Sequence, residues 1–148
     1  MPKITPATLP TLTTCGYLPP HHLPVAGRSW QAIATAGRLT QFGANLVTLA
    51  PGAWSSQRHW HTAEDELIVI LTGHPTLVED ATETALAPGD LATFAAGHPN
   101  GHHLQNRTPA PVTFLAIGTD HPATDQCHYP DIDMFWSEPT GFTTKPAL

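Results

Sequence analysis

Charge is what this chain has least of. Only 12% of its 148 residues are Asp, Glu, Lys or Arg, about half the share of an ordinary soluble domain. Six Lys and Arg face twelve Asp and Glu, a formal net charge of −6. No cluster of Lys or Arg could neutralise a series of phosphates, which argues against nucleic acid as a partner. An anionic membrane surface is disfavoured for the same reason. Long apolar runs are missing too, and none approaches the length that spans a bilayer. The opening "MPKITPATLPTL" has no apolar stretch of signal-peptide type, so a cytoplasmic location is expected. Cysteine is scarce: Cys15 and Cys127 lie near opposite ends, without the close spacing of a zinc knuckle or redox pair. Free thiols are the expectation.

Proline and glycine are plentiful, with sixteen and eleven, and they cut the chain into short pieces. Runs rich in Val, Thr, Ile and Phe fill the gaps between them, which favours an all-β fold in one domain. Residues 1–27 are Pro- and Thr-rich and read as an extended arm without a core of its own. His21 and His22 fall in it, but neighbours in an extended chain point to opposite sides and chelate poorly. Between 28 and 118, strand signals follow at regular intervals: "RSWQAIA", "FGANLVTLA", "WSSQRHWH", "ELIVILTG", a hairpin from "PTLVED" and "TETALA", "LATFAAG", "HHLQN" and "VTFLAIG". This is the pattern of a sandwich or barrel. Residues 119–148 carry no strand signal and read as a tail packed on the barrel.

Histidine is also frequent, at ten, and "RHWHTAEDE" (58–66) concentrates it beside three acids. On a strand, His59 and His61 share a face with Gln57 and Ser55, while Arg58 and Trp60 face the opposite way, towards packing. Glu64 and Asp65 read as solvated turn residues within reach of Arg58. Glu66 opens the apolar run "LIVIL", and a carboxylate turned inward there needs a cation. In "GHPNGHHLQN", His102 shares a face with Leu104 and Asn106. His103 faces the other side unless a bulge at Gly101 swaps them, and His98 lies in a turn. Three imidazoles with one carboxylate (His59, His61, Glu66, His102) suit one divalent transition metal per chain, such as Fe, Mn, Ni, Cu or Zn. Inward Gln57 and Asn106 are the candidates to orient a small substrate. An open metal in a barrel mouth suits an enzyme acting on a small oxygenated molecule. The alternative is a non-catalytic ligand binder or sensor, favoured by the lack of a second titratable group beyond His98 and His74. So few cations argue against sugar phosphates.

The two segments resemble the paired motifs of the cupin superfamily. Gly52, His59, His61, Glu66 and Gly73 fill the first motif; Gly89, Gly97, His102 and Asn106 fill the second, with Ala95 where the family has proline. The resemblance is to small bacterial single-domain cupins. It implies a double-stranded β-helix, or jelly-roll barrel, and a metal held by those histidines and the glutamate. It further implies an isomerase, dioxygenase, decarboxylase or lyase, and a homodimer formed through sheet edges and the Pro-rich arm.

Overall fold

The computed structural model describes residues 3–145. Its strands are β1 (Arg28–Ala32), β2 (Phe42–Leu49), β3 (Trp60–His61), β4 (Glu66–Thr72), β5 (Thr76–Val78), β6 (Glu83–Ala85), β7 (Leu91–Phe94), β8 (His103–Gln105), β9 (Val112–Thr119), β10 (Gln126–His128), β11 (Phe135–Ser137) and β12 (Gly141–Thr143), with a short helix α1 (Ile33–Gly37) after β1. They form one sheet of order β1-β2-β9-β4-β7 and two smaller ones, β12-β11-β10-β3 and β6-β5-β8. Bridges between His59 and His102, and between Trp54 and Gln105, stitch the two smaller sheets together. The result is a jelly-roll sandwich.

Side-chain size along the inner face of the large sheet decides where the core ends and a cavity begins. Reading across the register, one rung is Val47, Phe114 and Ile70; the next is Asn45, Ala116, Ile68 and Ala92; the last is Gly43, Gly118, Glu66 and Phe94. The first of these belongs to the main core, with Leu49, Leu77, Leu104 and Val112 packed around it. Gly118 beside Glu66 and Gly43 beyond it carry no side chains, so the packed interior opens on that side of the carboxylate. Small neighbours make the room.

The hairpin of β5 and β6 forms as the sequence suggests. Three segments differ. "WSSQRHWH" is not a continuous strand: residues 55–58 are bends, and the ladder resumes only at the His59 bridge and β3. The strand expected to run to Ala34 gives way to α1 at Ile33. The tail carries β10, β11 and β12, and β10 pairs β3 with Cys127 opposite His61 and His128 opposite Trp60. Each tail strand has three residues, too few to show a two-residue alternation between Pro and Asp.

The arm is not simply extended. It contains single 3-10 turns at Pro6–Thr8 and Leu23–Val25 and a bridge from Leu12 to Trp30. Gln31 holds it by donating to the Pro6 and Leu9 carbonyls. Its Tyr17 packs edge-on against Tyr129 and Phe142 from the tail, so arm and tail share a second cluster with Cys127 and Met134. Arg58 does not meet Glu64 or Asp65. It clamps Asp131 of the tail and Asp80 of the β5–β6 turn, while Trp60 stacks on His128.

The motif glycines Gly52, Gly73, Gly89 and Gly97 all have positive φ. At Gly73 (φ 79°) an added Cβ would also stand 2.8 Å from Val112 Cγ2 and 2.9 Å from the Pro111 carbonyl, whereas at Gly89 (φ 93°) nothing lies within 4 Å. Gly89→Ala is therefore expected to cost about 1–2 kcal/mol for its backbone alone. Gly73→Ala should cost about 1–3 kcal/mol more for the clash. Urea unfolding of the two variants measures the difference; equal losses would contradict it.

Candidate metal centre

Glu66, Ile68 and Ile70 alternate inward along β4, and Ile68 and Ile70 are buried. The carboxylate thus enters the interior at the mouth of a central strand. Facing it across the sandwich is the His59–His102 bridge, which brings two imidazoles side by side, ring centres 5.2 Å apart. The donor atoms of His59, Glu66 and His102 all lie within 4.8 Å of one another. His61 stands next to them, its ring 5.1 Å from that of His59 and nearly perpendicular to it. Its nearest donor neighbours form two further groups, with His59 and Cys127 on one side and with Glu64 and Asp125 on the other.

The outer nitrogens explain how the rings are aimed. His59 Nδ1 is 2.9 Å from the Gln57 carbonyl. His61 Nδ1 is 2.6 Å from Asp125 Oδ2, and His102 Nδ1 is 3.2 Å from the Asn100 carbonyl. An Nδ1–H that donates to a fixed acceptor leaves Nε2 as the lone-pair donor, the arrangement that orients metal-binding histidines. His102 Nε2 faces Glu66 Oε2 at 3.0 Å. Phe94 lies flat against the His102 ring, 3.4 Å away, and fixes its plane. Three neutral nitrogens and one carboxylate oxygen are a donor set that fits a divalent transition metal.

Electrostatics favour the ligand forms. Burial lowers His59 to about 4, so its ring is neutral near pH 7. Burial alone would raise Glu66, but a proton on His102 Nε2 and positive charge on the neighbouring imidazoles more than offset it and hold the carboxyl below its usual range; with the rings neutral, that place is open to a cation. Asp125 is likewise pulled down against its burial by His61 and by the Ala63 amide, which donates to it at 2.9 Å. Its carboxylate, fully buried, makes the His61 ring a stronger donor. No reading of the sequence singled out Asp125; its only local signal is a lone acid two residues before Cys127.

The remaining site expectations fare unevenly. The histidine facing Glu66 is His102; the His103 ring instead reaches the Ser56 carbonyl at 2.8 Å and the Gln105 side chain. Gln57 and Asn106, expected to orient a substrate, do not line the cavities described below. Gln57 is buried with its amide donating to the His21 carbonyl, because the bends at 55–58 break the alternation that would have turned it inward. Asn106 donates to the Leu49 and Ala110 carbonyls and pins a loop. Glu64 is no solvated turn residue: its Oε1 accepts from the His121 amide at 2.7 Å, and burial raises its pKa.

Cavities meet at Glu66. One of about 330 Å³ has His59 and Glu66 in its wall together with Tyr17, Arg28, Asn45, Ser55 and Ser56. A second, of about 220 Å³, is lined by His61, Glu64 and Glu66. A third, of about 250 Å³, adds His98, Glu79 and His102. Among the described residues, no helix is long and apolar enough to cross a membrane.

The cupin domain family matches residues 45–118, and the chain belongs to that family. Its structure superposes on a sugar phosphate isomerase from the cupin superfamily of Silicibacter pomeroyi with a TM-score of 0.91 and 41% identity, covering 97% of this chain and 92% of that one. A protein from Acidithiobacillus ferrooxidans, provisionally named a sugar phosphate isomerase, gives a TM-score of 0.73 and 25% identity over 81% of this chain and 78% of that one. The polyketide cyclase of Streptomyces resistomycificus shares the fold at 16% identity and a TM-score of 0.66, over 80% of this chain and 79% of that one. No curated protein matches the sequence.

His102→Ala is expected to abolish stoichiometric metal binding, while His103→Ala keeps it, as read by elemental analysis after loading. Retention in the first with loss in the second would move the ligand to His103. Asp125→Asn should weaken metal affinity about 10–100-fold through the His61 ring, measured by competition with a chelating dye; unchanged affinity would show that His61 needs no such support.

Proposed function

We propose that this cupin is a metal-dependent isomerase of a small hydroxylated carbonyl compound of the sugar type. The observation that carries the proposal is the convergence of His59 and His102, their Nδ1 atoms tied, on Glu66, with His61 beside them. His59, His61, Glu66 and His102 would hold a divalent cation, which would supply Lewis acidity towards a substrate carbonyl. The cavity of about 330 Å³ is of a size for a small sugar, and its wall includes Tyr17, Asn45, Ser55 and Ser56, residues able to hydrogen-bond one.

Isomerising an α-hydroxy carbonyl moves a proton between adjacent carbons, so one group must take it and return it. Glu64 suits that role. One of its oxygens is fixed by the His121 amide, the other stands 4.0 Å from His61 Nδ1, and the residue lines two cavities that adjoin, at Glu66, the one offered to the sugar. The non-catalytic alternative rested on the lack of such a group, and Glu64 supplies it. The reaction needs no oxidant or second substrate. The relationship to the Silicibacter pomeroyi protein, named for sugar phosphate isomerisation, supports the same class of reaction.

Metal-loaded protein incubated with pentose and hexose phosphates in D2O should exchange the proton next to the carbonyl and form the isomeric sugar, both visible by NMR. Glu64→Gln is expected to lower kcat by about 10²–10⁴ with metal content unchanged. Full activity in that variant would remove Glu64 from the mechanism, and no exchange across the panel would count against isomerisation itself.

A further inference from the structure

We infer that Arg28 anchors the anionic end of the substrate, a phosphate monoester, in the cavity whose wall contains His59 and Glu66. The inference rests on the isomerase reading and names its substrate class. Cations are few in this chain, and most are engaged or lie elsewhere. Arg58 is clamped by Asp80 and Asp131, and Arg107 pairs with Glu83. The other cavities at Glu66 have no Lys or Arg in their described walls.

Arg28 is different. It sits opposite Leu49 on β1, on the inward face with Trp30, and is half-buried in the cavity wall. Its Nη1 donates to the Ser55 carbonyl at 2.7 Å and its Nη2 reaches the Thr14 carbonyl at 3.5 Å. These carbonyls aim the guanidinium without neutralising it, and they leave other N–H donors of the fork open. Among the described residues no carboxylate forms an ion pair with it.

A guanidinium with no carboxylate beside it in a concave wall is free to take an anion, and its planar fork matches the oxygens of a phosphate. Glu66 is the one carboxylate in that wall, and a divalent cation bound there would more than balance it. Cavity and cation together therefore attract an anion. Ser55, whose carbonyl holds the guanidinium, is itself part of the same wall. The expectation from composition that the chain has too few cations for a phosphorylated substrate is answered by placement: one suffices when it is left unpaired in the right cavity.

The test reads binding, not turnover, so that it can stand or fall apart from the isomerase reading. Metal-loaded wild type, Arg28→Met, Arg28→Gln and Arg28→Lys are titrated calorimetrically with a pentose 5-phosphate and with the unphosphorylated pentose. Wild type should prefer the phosphorylated sugar at least tenfold. Arg28→Met and Arg28→Gln, the latter still able to donate to Ser55, should lose that preference, Arg28→Lys should keep part of it, and all should hold the same metal content. An equal preference in wild type and in whichever neutral variant folds would overturn the assignment, as would a wild type that binds both sugars alike.

Discussion

A carboxylate on the inner face of a central strand, two residues from Ile68 and four from Ile70, cannot remain there as an uncompensated charge. The neighbourhood of Glu66 answers that constraint. Gly43 and Gly118 withdraw side chains from its rung, the His59–His102 bridge sets two imidazoles opposite it, and the tail brings Asp125 to hold a third. In water these groups would have no reason to converge. Inside the sandwich, the sheet ladders bring the anion and the neutral rings together as a donor set that a divalent cation would complete.

The same constraint separates what the sequence discloses from what it hides. Alternation works where a ladder exists: β2, β4 and β9 read correctly because Val47, Ile68, Ile70, Val112 and Phe114 recur at two-residue steps and are buried together. His59 and His61 come out near one another because the ladder resumes there. Gln57 fails for the converse reason, since the bends before His59 free its side chain from the period. The same alternation sets His102 and His103 on opposite faces, and the structure turns His102 to Glu66 and His103 to the Ser56 carbonyl.

Long-range support was not legible. Asp125 and Tyr129 flank β10 and reach His61 and His59 from its two ends; a strand of three residues is below the length at which a pattern can be told from chance. Tyr17 arrives from a Pro-rich arm, and Arg28 gains meaning only when its lack of a carboxylate partner is seen. Such residues act by placement across the fold, and local spacing carries no record of that. The cupin resemblance located the ligand motifs but not the groups that aim them.

Anomalous diffraction from crystals grown with Mn(II) tests the central claim most directly. The account predicts one peak per chain, about 2.0–2.3 Å from Nε2 of His59, His61 and His102 and from a Glu66 oxygen. A peak centred instead on His61, Glu64 and Asp125, or on His59, His61 and Cys127, would contradict it. Either outcome would leave Glu66 without the cation on which the account depends.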